Sequence, residues 1–244
     1  RIRQSIREFR LRGIRNVRVL DRTFNGNEKR ALEMLDVFES EGEGMCFHLE
    51  VHPAFLTEDM KIRLMHMPSG RLHLEAGLQS LQQEVILLSG RKGDTKAALE
   101  GLHFLSESNL FETHTDLIAG LPGYSYAQTV QDVVSLIKMN VAEVQLESLK
   151  LLPGTPFREH AAEYGLTFAP NPPYEVLASD VLTLSELNKL MRLSVLLDQF
   201  YNALPWHDAF RELCLQDVQF PVAFIELLGE KLESTLLSQE RKGE

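Results

Sequence analysis

Two cysteines in 244 residues, Cys46 and Cys214, are too few for a disulfide framework and too few to hold zinc or an iron–sulfur cluster with cysteine ligands alone. The sequence also lacks an apolar run of about 18 residues, and its Arg-rich beginning is not followed by the apolar stretch of a signal peptide. A membrane association is thereby disfavoured, and the chain is expected to be a cytoplasmic protein. Basic residues number 25 against 35 acidic ones, so the net charge is −10, the wrong sign for a surface built to neutralise phosphates. Eight arginines do fall within the first 22 residues. They interleave with Ile2, Ile6, Phe9 and Leu11, and read as the solvated face of an amphipathic helix rather than a nucleic-acid patch. An apolar content of 44% excludes disordered and collagen-like classes and supplies a core for one large or two small domains. The first residue is Arg1 rather than Met and lies inside a helical pattern, which points to a piece of a longer protein.

What is present is alternation. Periodicity predicts strands over 17–20, 45–51, 71–74, 113–118 and 143–149, and helices over 28–39, 57–65, 78–88, 95–108 and 126–139. Thr57, followed by Glu58 and Asp59, is a plausible cap with acids in the first helical turn. Five strands, each followed by a helix, indicate an α/β fold: a parallel sheet or part of a parallel (β/α) barrel, with too few units for a complete eightfold one. Five prolines between 153 and 173 mark loops, and from Thr183 the pattern is helical only. Thr183 and Glu186 form a capping box, and Val222, Phe224, Ile225, Leu228, Leu232 and Leu236 lie on a last amphipathic helix. The expected division is a barrel part over 1–158 and a helical C-terminal extension over 159–244.

In parallel barrels the reacting groups stand at the C-terminal ends of strands. Asp21, Glu50, His52, Glu75, Asp116 and Glu147 fall at or near such ends. Three strands repeat a His-x-acid step, His48/Glu50, His73/Glu75 and His114/Asp116, and strand alternation puts each pair on one face. These six residues could serve a metal-dependent hydrolase or lyase. The plainer reading of the histidines is that they are hydrogen-bonded inside the core.

More specific is the ordered set Leu49-Glu50-Val51-His52-Pro53, Glu75-Ala76-Gly77-Leu78-Gln79-Ser80, Gly90-Arg91-Lys92-Gly93, Thr115-Asp116-Leu117-Ile118-Ala119-Gly120-Leu121-Pro122-Gly123 and Leu149-Lys150-Leu151-Leu152-Pro153-Gly154-Thr155. Together these segments resemble the radical S-adenosylmethionine (SAM) superfamily, in particular the branch holding oxygen-independent coproporphyrinogen oxidases, methylthiotransferases and cobalamin-domain members. The resemblance covers about residues 1–158. It implies a partial radical SAM barrel whose first strand is missing. It also implies that Glu50 meets the methionine amino group, Gln79 and Asp116 the ribose hydroxyls, and Arg91 the methionine carboxylate. Asp21, Thr23 and Glu75 join the expected SAM-binding set, with Gly120 and Pro122 forming a strand-end turn beside adenine. The family's glycine-rich segment after the second strand is replaced here by Asp21-Arg22-Thr23-Phe24-Asn25.

The same resemblance implies an oxidoreductase-like enzyme in which a [4Fe-4S] cluster cleaves SAM to a 5′-deoxyadenosyl radical, with cobalamin where such a domain is present. Its three cluster cysteines, spaced C-x-x-x-C-x-x-C, are absent from this chain. The chain is therefore expected to begin downstream of the cluster loop and to be inactive alone. A non-catalytic scaffold lacking the cysteines is the remaining reading. The substrate is expected to be a small molecule, with Tyr124, Tyr126, Glu147 and the C-terminal helices as candidate substrate-facing groups. Cys46 is expected to be a small buried strand residue and Trp206 a packing anchor.

Overall fold

The computed structural model describes residues 1–91, 93–108, 110–224 and 227. Its elements run in the order α1 (Ile2–Leu11), β1 (Asn16–Arg18), α2 (Glu28–Glu41), β2 (Cys46–Val51), α3 (Glu58–Met65), β3 (Leu72–Gln79), α4 (Gln83–Leu88), α5 (Thr95–Glu107), β4 (Glu112–Ala119), α6 (Tyr126–Lys138) and β5 (Glu143–Ser148). They continue with α7 (Pro156–Glu159), β6 (Thr167–Phe168), β7 (Val176–Ala178), α8 (Leu184–Leu196) and α9 (His207–Gln216). The strands β1 to β5 form one sheet in sequence order. Each pair from β1 to β4 is parallel, which demands a crossover between strands, and the helices provide it.

The chain divides into two compact units, residues 1–117 with 139–145, and residues 118–138 with 146–244.

In the first unit, alternation decides which face of each strand meets the helices. In β2, Phe47, Leu49 and Val51 are buried while Cys46, His48 and Glu50 are only partly so; in β3, Leu72, Leu74, Ala76 and Leu78 alternate with His73, Glu75, Gly77 and Gln79. The buried set packs in a core with Ala31, Leu35 and Phe38 of α2, Met60 and Leu64 of α3, and Ala98, Leu102 and Leu105 of α5. Phe38 stacks on Phe47 with ring centroids 4.1 Å apart. Local capping agrees with the sheet. Asn27 accepts from the Arg30 N–H at the start of α2, Thr57 from Met60 at the start of α3, and Asp94 from Lys96 at the start of α5. The arginines of α1 pair with acids near the end of α2: Arg7 binds both Glu41 carboxylate oxygens at 2.6 Å, and Arg10 lies 3.7 Å from Glu43.

Two expectations need correction here. The third strand does not stop at Leu74. The alternation continues to Gln79, and α4 starts only at Gln83, because the apolar run that suggested a helix from Leu78 opens with strand residues. Cys46 is not a fully buried strand residue, since it stands on the polar face with His48 and Glu50.

In the second unit, α6 packs against α8 and α9. Its stripe of Val130, Val133, Val134, Leu136 and Ile137 is buried, as are Leu187, Leu190, Leu193 and Leu196 of α8. The capping box forms as expected: the Glu186 N–H donates to Thr183 Oγ1 at 3.3 Å, and the Thr183 N–H to Glu186 Oε2 at 2.8 Å. A π-helical turn follows over Leu197–Tyr201. The C-terminal part is not purely helical. β6 and β7 form a short antiparallel pair, too brief to leave a periodic signature. Trp206 is 55% exposed, beyond the role of a core anchor, its ring 6.5 Å from that of Phe200. Of the last amphipathic helix, Ile225, Leu228, Leu232 and Leu236 lie outside the described residues. Among the described residues, no helix is long and apolar enough to cross a membrane.

Candidate functional site

Parallel register builds a polar layer across the first unit's sheet. Arg18 pairs with His48 and His48 with His73; one step further, Glu50 pairs with Glu75 and Glu75 with His114; beyond them Gly77 pairs with Asp116. Two carboxylates side by side on adjacent strands repel one another. Arg18 offsets this, donating to Glu75 at 2.7 Å and lying 3.9 Å from Glu50. The His48 and His73 rings stack at 4.4 Å, and His73 Nδ1 lies 3.1 Å from Glu112. Burial, then the neighbouring His73, lowers the His48 pKa. The first two His-x-acid steps are level and the third is shifted, since His114 stands opposite Glu75. Among the described residues no three His, Cys, Asp or Glu side chains converge on a point where they could hold a metal ion.

At the C-terminal ends of β2, β3 and β4 lies a cleft lined by Arg22, Thr23, Glu50, Val51, His52, Glu75, Gly77, Gln79, Arg91 and Asp116. Six of the nine residues singled out from the sequence meet there: Thr23, Glu50, Glu75, Gln79, Arg91 and Asp116. Asp21 is not in the lining. It is held by an ion pair with Arg30 and accepts from the Thr23 N–H, which shapes the loop that presents Thr23. Gly120 and Pro122 belong to the second unit, where Gly120 takes φ +87° and a Cβ on it would approach Val176 to 3.3 Å. Tyr124 of that unit is fully buried, its hydroxyl donating to Asp132 at 2.6 Å, so it faces core and not a substrate. Tyr126 is half-buried, and Glu147 is exposed beside Lys150 at 3.3 Å.

Each cleft residue is placed by its own local device. Gln79 ends β3 at φ +63°, at a bulge where the β3–β4 register shifts after Gly77. This left-handed backbone costs a non-glycine residue roughly 1 kcal/mol or more and is the kind of strain that collects at working sites. A Cβ on Gly77 would come within 3.0 Å of Gln79 Nε2, so the amide lies over a residue that has no side chain. Arg91 follows Gly90, whose φ of +67° ends α4. The loop after it is tied back by Gln83, which accepts from the Thr95 N–H at 2.8 Å and the Thr95 hydroxyl at 3.0 Å. Arg91 itself donates to the Gly77 carbonyl at 3.4 Å. Desolvation lowers its pKa, opposed by the charge of Asp116. The loop carrying Arg22 and Thr23 is pinned to the end of β2 by Asn25, which donates to the His52 carbonyl and accepts from the His52 N–H, both at 2.9 Å.

Among the described residues, Gln79 Oε1 is buried in this cleft without a hydrogen-bond partner, while Asp116 Oδ1, also without an aligned hydrogen bond, lies 2.9 Å from His114 Nε2. Buried polar atoms are rarely left so, and a ligand hydroxyl would satisfy Gln79 Oε1. His52, placed at a strand end by the sequence, does line the cleft; sequence reasoning assigned no role to Arg18, Arg22 or Gly77. For Gly77 a signal existed, since it stands two residues beyond Glu75 and so on the same strand face.

Comparison with known proteins bears on the fold. The radical SAM methyltransferase TsrM from Kitasatospora setae, solved with tryptophan substrate and the SAM analogue aza-SAM bound, superposes with a TM-score of 0.58 at 15% identity, over 74% of this chain and 36% of that one. Elp3 from Methanocaldococcus infernus gives a TM-score of 0.50 at 16% identity, over 78% of this chain and 48% of that one. SuiB from Streptococcus suis gives 0.51 at 12% identity, over 63% and 34%. The chain therefore has the fold of the radical SAM proteins, as part of their parallel barrel. It spans about a third of the length of TsrM. Residues 162–240 match a family described as a protein of unknown function, DUF4080. No curated protein matches the chain.

Proposed function

We propose that this chain supplies the SAM-binding part of a radical SAM enzyme and seats the ligand over the C-terminal ends of β2, β3 and β4. The observation that carries this reading is the meeting of Thr23, Glu50, Glu75, Gln79, Arg91 and Asp116, from five separate segments, in one cleft.

The donor set suits the ligand. A guanidinium forks onto a carboxylate, and the long 3.4 Å bond to Gly77 leaves most of the Arg91 fork for that use. Glu50, whose counterion Arg18 is 3.9 Å away, accepts from an ammonium group. Gln79 and Asp116 have the acceptors that a ribose diol needs. Arg18 offsets the repulsion between the neighbouring Glu50 and Glu75, and the Asn25 clamp holds the loop of Thr23 against the end of β2. The chain's own work is thus to bind and orient.

SAM bound beside a reduced [4Fe-4S] cluster supplies a radical initiator. The cysteines here do not fit that cluster, because Cys46 lies in β2 and Cys214 in α9 of the other unit, so no step through it is assigned to this chain. The whole protein's reaction, its small-molecule substrate, cobalamin as a second cofactor and a cytoplasmic setting belong to the same proposal.

Calorimetric titration of SAM into the 244-residue chain tests it. Binding is expected, and Arg91→Ala or Asp116→Ala should each weaken it about tenfold or more, the loss of a charged hydrogen bond. No binding at millimolar SAM would overturn the reading. For the whole protein, anaerobic reconstitution should yield 5′-deoxyadenosine.

A further inference from the structure

We infer that His114 is a positioning residue for ligand hydroxyls, acting through Asp116. The inference rests on the reading of the cleft as a SAM site.

His114 and Asp116 stand two residues apart on β4 and so share its polar face. His114 Nε2 lies 2.9 Å from Asp116 Oδ1. Both atoms are buried, and among the described residues neither makes an aligned hydrogen bond, so what joins them is this close contact between imidazole and carboxylate. The Asp116 side chain is nevertheless 33% exposed. The oxygen within reach of a ligand in the cleft is therefore Oδ2, while Oδ1 is turned to the imidazole. A carboxylate on its own is a broad twofold rotor. Gripping Oδ1 fixes the direction of Oδ2 and removes part of the ordering cost that a ligand would otherwise meet on binding.

The surroundings hold the imidazole in its turn. His114 is 8% exposed. It lies opposite Glu75 on β3 and edge-on to His73 at 6.2 Å. Glu143 of β5 adds a third acidic neighbour besides Asp116 and Glu75. A proton on Nε2, close to Oδ1, suits this acidic setting, whether the ring is neutral in that tautomer or cationic. The residue touches no ligand, so it acts only through the carboxylate it steers.

The test separates steering from mere packing. The affinities of S-adenosylhomocysteine and its 2′-deoxyribose counterpart are measured on the 244-residue chain, on His114→Ala and on His114→Gln. In the unaltered chain the ribose ligand should bind more tightly. His114→Ala should cut that preference about tenfold, the effect of one hydrogen bond to a charged group, and His114→Gln, which keeps a side-chain N–H, should restore most of it. Because the readout is a ratio on one preparation, a partly unfolded variant does not spoil it. An unchanged ratio in His114→Ala overturns the inference while the SAM reading stands. If the unaltered chain binds neither ligand, the SAM reading itself falls, and this inference with it.

Discussion

Gly101, in the middle of α5, sets two effects against each other. Replacing a helical glycine by alanine ordinarily stabilises by about 1 kcal/mol, because alanine gives up less backbone freedom on folding. Here the helix lies against the turn Pro53–Phe55 that follows β2. A Cβ on Gly101 would sit 2.8 Å from the Pro53 carbonyl carbon and closer still to its oxygen. Carbon atoms in contact stand about 3.5–4.0 Å apart, so the helix or the turn must retreat by roughly 1 Å. Both belong to rigid backbone, not to a side chain that can swing away. Retreat would loosen the packing of Ala98, Leu102 and Leu105, all buried on the same helix. Overpacking of this kind typically costs 1–3 kcal/mol, and the upper end applies when backbone must move. Gly101→Ala should therefore be net destabilising by about 1–2 kcal/mol, seen as a lower urea midpoint with an unchanged slope. Since Glu50 and His52 immediately precede the turn, SAM binding should weaken as well. A variant as stable as the parent chain, or more so, would refute the reasoning, because helix propensity alone would then govern the site.

Asn25 makes both of its hydrogen bonds to the His52 backbone, and since the His52 carbonyl also accepts from the Phe55 N–H, Asn25→Ala should cost about 1–3 kcal/mol, chiefly from the acceptor lost to the His52 N–H, measured by denaturation. Hydrogen bonds from Arg7 hold the Glu41 carboxyl below its ordinary value of 4.5, against a smaller opposing effect of burial. The pair's contribution is thus present above that value and lost as pH falls through the lower, folded-state value. Protection of the α1 amides, taken relative to the intrinsic exchange rate at each pH, should fall on acidification and do so much less in Arg7→Ala. For His114, burial pulls the pKa down, but Asp116, with Glu143 and Glu75, outweighs it and leaves it above the ordinary 6.5. Its contribution is full below 6.5 and fades as pH rises through the folded-state value; nuclear magnetic resonance titration should show the His114 pKa falling in Asp116→Asn.

Much of the sheet is readable from residues because several local signals coincide. Thr57 and Thr183 start helices where their side chains cap them, and β2 alternates without interruption. The strand containing Glu75 was harder to bound, because Leu78 opens an apolar run that also suits a helix, and only pairing with β4 decides for the strand. The β6–β7 pair is fixed by partners rather than pattern. In the cleft, the acids are legible from strand parity. Arg18 and Gln83 are not, since what they do depends on contacts with Glu75 and Thr95 that no local spacing encodes. The burial of Tyr124 and the exposure of Trp206 are likewise tertiary outcomes.

A crystal structure of the 244-residue chain grown with S-adenosylhomocysteine tests the central claim most directly. The account predicts the amino-acid end between Glu50 and Arg91 and the ribose hydroxyls at Gln79 and Asp116. A ligand bound away from these four side chains, or a cleft left empty at millimolar ligand, would contradict it.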